Sequence, residues 1–555
     1  MPHRSLLVLV LALGCSGADD KGTDPTNGDD DDDITVGDDD DDDITVPGDD
    51  DDDTVPGDDD DDTPVDSGDT ALVDSATTDS AGTDTGTPPP PSCTAAVTTI
   101  TAAAHQIPTM VELAVEVDTE AEVAGWCTSD LDPTEVFFVE SDGAATSHSL
   151  QLMGLLPATS YTCTAVPVCD TVVGTPADTP YLAGPPPGTL ERLTVTTNPY
   201  LEMEGSWTMA PFTKNMFGGT TYIVIWGPGG QPRWWTTLPG GVGMWIEARH
   251  HGDRTLVWGG GMDDQGRPRI LDMWEGETYA FAPAGWQSQE FHHDGKMLDD
   301  GRLMTLEIRR NTAGNDNWDG FGIRVVDPST GVIDVDIDSQ TLVDAGSLPP
   351  GGGFNQDPWH ANWMDLVDGP NGEEIYVSLC FSQSVVVIDP ATGLEKWTFG
   401  RGEGWTLLDA AGYPLGEAVL PQCQHGLEVD GDKLLVYDNG QDRSNSAAQE
   451  WQIDPVTRTA TLLWSWTENS WKEDFLGDID YLPNDRVLIT QATMFGTGEI
   501  VEVERSSGSV VSRMALGNGA MTYRSERYDG CDFFHSAKEC EGLATRHAEL
   551  EALLP

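Results

Sequence analysis

Residues 357–400 read DPWHANWMDLVDGPNGEEIYVSLCFSQSVVVIDPATGLEKWTFG. The apolar runs IYVSL and VVVID are punctuated by DGPNG and DPATG, Gly/Pro/Asp clusters at hairpin spacing. The stretch therefore predicts two strands, a turn and a third strand. His360 stands just ahead of the first strand and Trp397 ends the third.

The pattern recurs along the chain. HHDGKMLDDGRLMTLEI is followed by VVDPSTGVI between His292 and Ile333, and HGLEVDGDKLLVYD by WQIDPVTRTATLLWSW between His425 and Trp466. GDIDYLPNDRVLITQ is followed by VEVERSSGSVV between Gly477 and Val511, with Gly or Asp at the histidine position. Self-similar units of short strands, roughly 40 to 65 residues apart, are the signature of a β-propeller. The first strand of each blade lines the central channel, so residues that open equivalent strands meet near the axis. His293, His360 and His425 hold those places. Three histidines far apart in sequence are expected to share one site.

Working outward, the propeller is expected over residues 190–527 as roughly six blades of about 55 residues. Trp235, Trp397 and Trp464, in strand–turn–Trp segments, are expected to pack between blades. Residues 93–183 alternate apolar and polar. LQLMGLLPATSYTCTAVPVC resembles the strand that carries the tyrosine corner of fibronectin type III and immunoglobulin-like folds, with Tyr161 as that tyrosine. A small β-sandwich follows, joined by the stiff GPPPG at 184–188. Residues 528–555 read as a helical C-terminal cap in which Cys531 and Cys540 close a small loop. The fold class is all-β.

The chain has 555 residues and a formal net charge of −69, spread unevenly. No lysine or arginine occurs between Lys21 and Arg192, and Asp runs fill residues 29–62. Such a polyanion repels nucleic acid and anionic lipid headgroups, so neither is an expected partner. Residues 16–92 are too poor in apolar side chains to offset their ordering entropy and read as a disordered tether. Their Asp runs lack the Asp-x-Asp-x-Asp-Gly spacing of a calcium loop.

The opening MPHRSLLVLVLALGC, residues 1–15, has an apolar stretch too short to span a bilayer and reads as a signal peptide. Small residues ahead of Cys15 resemble a bacterial lipoprotein signal, which implies a lipid anchor at Cys15 and, with Ser16 next, an outer-membrane place in the cell envelope. Of nine cysteines, eight remain after Cys15, an even number that permits four disulfides in an oxidising compartment. Cys93, Cys127, Cys163 and Cys169 are expected to pair among themselves.

Histidines facing a channel have several readings. They can be polar lining that hydrogen-bonds across the ring. Three imidazoles also suit Zn²⁺, but no His-x-x-x-His helix supports a metal site, and neither metal nor cofactor is assigned. General acid–base chemistry on a sugar or lipid is a third reading. Nucleophilic catalysis is the fourth, in which a neutral imidazole carries a transferred group while neighbouring donors hold its charge.

On that point several ordered segments speak together. DPWHANWMDL…VSLCFSQSVVVIDPATGLEKWTFG, FHHDGKMLDDGRLM, PQCQHGLEVDGDKLLVYDNGQDRSNSAAQEWQID, FLGDIDYLPNDRVLI and TYRSERY resemble the motifs of the bacterial arylsulfate sulfotransferases. The resemblance covers about residues 290–528, and the first blades poorly. It implies a six-bladed propeller that moves a sulfo group from a phenolic sulfate ester to a phenol by a ping-pong route. His425 would be the nucleophile, and His360 and His293 would hold the sulfuryl oxygens or shuttle the phenol proton. His292, Asn362 and Trp359 would bind substrate; Trp359 and Trp363 have two readings, stacking on the aryl ring or packing in the core.

Three positions depart from that pattern. Cys380 aligns with a family arginine, Gly426 with an Asp that follows the nucleophile, and Ser446-Ala447-Ala448 with a second arginine. Loss of one anion-binding donor costs about 10²- to 10³-fold in rate. Arg309, Arg310, Arg401 and Arg443 are candidates to replace it from other blades. A disulfide between Cys380 and Cys423 beside His425 is expected. The alternative function is a catalytically degenerate propeller that binds a ligand or partner on its channel face. IDPATGLEKWTFG also resembles the tryptophan repeat of quinoprotein-like and assembly-factor propellers, a device of blade packing that leaves the three histidines unexplained.

Overall fold

In the computed structural model, the described residues are 92–554 apart from 202, 204–206, 215–219, 238–246, 252–254, 260–268, 281–290, 312–317, 350–356, 370–371, 493–497, 518, 530 and 532–533. The signal-like opening, Cys15 and the Asp-rich tract lie outside them. No helix among the described residues is long and apolar enough to cross a membrane.

Central strands of the repeat are buried from end to end. Ser384–Ile388 (SVVVI) has every residue buried, and Gly372–Leu379 is buried from Glu374 onward. A strand covered on both faces by neighbouring sheets reads as a continuous apolar run rather than an alternation, which is what IYVSL and VVVI are. These strands form four sheets of four strands and two of five, three of the four-stranded ones running purely in chain order. Together they make a β-propeller-like ring.

The ring closes at both ends of its sequence. The C-terminal strand Glu526–Tyr528 pairs with Trp207–Thr213 and supplies the inner edge of the first sheet. The early strand Thr194–Thr197 pairs with Ser509–Ala515 at the outer edge of the last. Ala210, Phe212, Trp226 and Trp235 share a core with Leu488, Ile500 and Met514, so apolar contact joins first sheet to last. Trp235 is buried, while Trp397 and Trp464 are half-buried against their inter-sheet cores.

Residues 93–183 form a sandwich around the long strand Met110–Ser129, whose first half pairs with Val97–Ala104 and Ala145–Met153 and whose second half pairs with Val136–Glu140 and Ser160–Cys169. Tyr161 makes the expected corner: its hydroxyl accepts from the Leu156 N–H at 2.7 Å. Disulfides join Cys93 to Cys169 and Cys127 to Cys163. The sandwich packs on the ring through Met110 and Met153 against Trp207, Met209, Trp234 and Trp274. Buried Arg233 donates to the Gly154 carbonyl at 2.9 Å across the same seam. The closing helix Glu541–Glu551, tied by Cys531–Cys540, lies on the sandwich, where Ala537 and Leu550 meet Trp126, Phe138 and Val166.

Candidate functional site

Each histidine sits where an inner strand starts irregularly. In Phe291–Met297 the register jumps, with Phe291 opposite Glu307 and Gly295 opposite Thr305, and the intervening His292-His293-Asp294 forms a bulge. Bulges re-aim side chains. His293 takes φ 60°, His360 φ 49° and Cys423 φ 47°, left-handed conformations that cost non-glycine residues energy and concentrate at functional sites. His360 precedes Ala361–Gly369, where a second register shift follows at Asn362. His425 precedes Leu427–Asp430 and is held by its own N–H to the Tyr437 carbonyl at 3.1 Å.

The ring brings the predicted histidines together. The imidazole centroids of His293 and His360 are 4.8 Å apart, and those of His293 and His425 6.5 Å. His292 joins them, 3.9 Å from His293 and 5.4 Å from His360. His293 and His425 are buried, whereas His292 and His360 are half-buried at the mouth.

His425 has a defined tautomer. Its Nδ1 lies 3.1 Å from Asn439 Oδ1, and the Asn439 amide is oriented by donating to the Glu473 carbonyl at 3.1 Å and the Leu476 carbonyl at 2.9 Å. The amide oxygen can only accept, so Nδ1 carries the proton and Nε2 the lone pair. That Nε2 is buried and has no hydrogen-bond partner among the described residues. Burial, then the charges of His360 and Arg524, hold the His425 imidazolium well below its ordinary range, so the ring is neutral. Burial, with the neighbouring histidines, does the same to His293. Burial lowers His292 to about 4, with His360 adding to the shift.

His360 is arranged differently. Its Nδ1 lies 2.5 Å from Asp357 Oδ2, and its backbone N–H donates to Asp357 Oδ1 at 2.9 Å. Burial pushes the Asp357 carboxyl up, but the charge and hydrogen bond of His360 outweigh this and hold it below the usual range. A carboxylate fixed to one ring nitrogen holds the ring's orientation and leaves the other nitrogen for the site.

The departures acquire physical reasons. A side chain at Gly426 would put Cβ 2.4 Å from Asp478 Oδ1 and 2.8 Å from the Ile479 nitrogen, so the next blade's approach leaves no room for an aspartate. Asn439, from the Asp-Asn-Gly turn, orients His425 in its stead. Ser446 braces that turn, with its Oγ 3.0 Å from the Asn439 carbonyl. Cys380 and Cys423 are bonded, tying the end of Gly372–Leu379 to the loop before His425.

Trp359 is fully buried beside Phe321 in one inter-sheet core and Trp363 in the next, the core-packing one of their two readings. Phe381, half-buried and stacked 4.9 Å from His360, is the aromatic ring beside the site that sequence reasoning missed. Asn362 is buried and donates to the Gln424 carbonyl at 2.9 Å, which makes it a strut between blades. Of the candidate replacement arginines, Arg309 pairs with Glu307 and Asp336, Arg401 with Asp442, and Arg443 with Asp438. The side-chain burial of Arg310 lies outside the description.

Among the described residues, Arg524 brings a cation beside the site. It is buried, donates to the Asn362 and His425 carbonyls, and lies 3.6 Å from Asp294. It comes from the closing segment TYRSERY, and only closure of the ring brings residue 524 beside residues 294, 362 and 425. Its neighbour Tyr523 places its hydroxyl 3.1 Å from His293 Nδ1.

The arylsulfotransferase (ASST) family model matches residues 191–524, a span that holds every strand of the ring but the closing Glu526–Tyr528 and every histidine of the site. The chain belongs to the arylsulfotransferase family. The match extends the resemblance to the first blades, and with it comes an aryl sulfotransferase-like function in general terms, with small aryl sulfates and phenols as the implied substrates. No curated protein matches the chain. Among solved structures, it is similar to hydrazine synthase of Kuenenia stuttgartiensis at 14% identity and TM-score 0.26, over 46% of this chain and 62% of that one. A putative 6-phosphogluconolactonase of Bacteroides uniformis matches at 11% identity and TM-score 0.33, over 74% and 100%. Sqt1 of Saccharomyces cerevisiae matches at 9% and 0.30, over 68% and 95%. None of these likenesses reaches the similarity at which a shared fold is read.

Proposed function

We propose that this arylsulfotransferase-family chain moves a sulfo group from a phenolic sulfate ester to a phenol through a sulfo-histidine at His425. The observation that supports this most is the state of that ring: neutral, with Nδ1–H directed at Asn439 and the Nε2 lone pair unclaimed among the described residues. Nε2 attacks sulfur, the N–S bond forms as the S–O bond to the aryl group breaks, and the electron pair leaves on the phenolate. His360, poised by Asp357, gives that phenolate a proton. An incoming phenol returns the proton to His360, its oxygen attacks sulfur, and the N–S bond breaks. His293 and His292 face the sulfuryl oxygens, where fixed donors stabilise spreading charge.

The test offers a chromogenic phenyl sulfate with and without a phenol acceptor. Release that depends on acceptor and vanishes in His425→Ala supports the reading, as does intact-protein mass showing one added SO₃ on His425. Two observations favour a second reading, a channel-face binding propeller without chemistry: the disulfide sulfur where the family has an arginine, and the burial of His425. Silence with every acceptor, and no sulfo adduct, would establish that one.

The same proposal places the protein in the cell envelope, anchored through Cys15. The signal-like opening and four disulfides support it. Cys15→Ala should then move the protein from the membrane fraction to the soluble one.

A further inference from the structure

We propose that His292, His293 and His360 bind a divalent transition-metal ion of the zinc type. One ring nitrogen from each of the three lies within 4.8 Å of the others. Nitrogens around a tetrahedral zinc stand ~3.4 Å apart, so the separations need to shorten by up to about 1.4 Å, a movement within reach of imidazole rotations. The rings meet at steep angles, 61°, 89° and 70° for the three pairs, so their edges approach a common point from different directions rather than lying parallel.

Outer partners occupy one nitrogen of each ring. His360 Nδ1 bonds Asp357, His293 Nδ1 bonds the Tyr523 hydroxyl, and His292 bonds the Ala361 backbone. Metal-ligating histidines are commonly held by a carboxylate, carbonyl or hydroxyl on the far nitrogen, and Asp357–His360 is the carboxylate–histidine pairing such sites use. His425 stands outside the trio, with its Nδ1 committed to Asn439. Three protein nitrogens leave a fourth position open, as in catalytic zinc sites, and an oxyanion oxygen suits it. This last role rests on the sulfo-transfer reading and changes one part of it: with the remaining His360 nitrogen on the ion, the ion, and not a proton from His360, would meet the phenolate charge, and it would add the positive charge that the family arginine supplies and Cys380 does not. Sequence spacing hides the site because two ligands are adjacent in a bulge and the third comes from the next blade.

The experiment strips the full-length protein with chelator and titrates Co²⁺, reading visible absorption. One equivalent giving the intense bands of a four- or five-coordinate nitrogen site, displaced by Zn²⁺, is the expected result. His292→Ala and His360→Ala should abolish those bands, and Asp357→Asn, which retains all three ligands and the packing, should weaken affinity 10- to 100-fold. His425→Ala should keep them. Carboxylates of the Asp-rich tract give only the pale spectrum of an octahedral oxygen site. That pale spectrum alone, or intense bands that survive His292→Ala and His360→Ala, would overturn the proposal. Intense bands in a protein with no aryl transfer would uphold the metal site and defeat the enzymatic reading, so the two can fail separately.

Discussion

His425 and His360 open the inner strands of neighbouring blades, yet one leans on an amide and the other on a carboxylate. His425 is 1% exposed and directs Nδ1 at Asn439, whereas the His360 side chain is 22% exposed and directs Nδ1 at Asp357. An uncharged orienter in a dry setting keeps the ring neutral and its lone pair available. A carboxylate behind a half-exposed ring fixes its orientation instead, which is the arrangement the proposed proton transfer uses. The repeat thus delivers equivalent backbone slots, and the residue behind each imidazole assigns its chemistry. The next blade makes the point by omission, since its slot holds Gly477 with the Tyr437 ring pressed against it.

The largest test removes one side altogether. His425→Ala should lower acceptor-dependent aryl release by on the order of 10⁴-fold or more, as loss of a covalent nucleophile does, measured as steady-state kcat. Asn439→Asp makes the two sites alike: a carboxylate there would raise the His425 pKa and tie up its lone pair. The acid limb of the pH–rate profile should move upward, with a loss of about 10²- to 10⁴-fold at neutral pH. An unchanged profile would show that Asn439 does not set the ring's state. Asp357→Asn works from the other side and should cost about 10²-fold, more for a poor leaving phenol than for a nitrophenol. Equal losses for both phenols would remove His360 from the proton transfer.

Two smaller effects concern stability. Cys380→Ser with Cys423→Ser should lower unfolding free energy by about 2–4 kcal/mol, read from denaturant midpoints. His292, His293 and His425 all have folded pKa values below the ordinary 6.5. The unfolded chain therefore binds more protons as pH falls, and stability that is full above pH 6.5 declines toward pH 4, by about 1.4 kcal/mol per unit for each histidine. His293→Gln should flatten that slope in chemical denaturation across the same range.

The sequence by itself determined the strand repeat, the tyrosine corner, and the convergence of His293, His360 and His425, because hydrophobic runs, turn residues and equivalent strand starts are local signals repeated at a fixed interval. It also placed the cysteine pairs of the sandwich as a set. Tertiary structure alone decided that Arg524 stands at the hub, that Asn439 fixes the tautomer of His425, that Gly426 answers the approach of Asp478, and that Trp359 and Trp363 are buried in inter-sheet cores. Each of those depends on a contact between blades, and such a contact is set by how the ring closes and not by any neighbour along the chain.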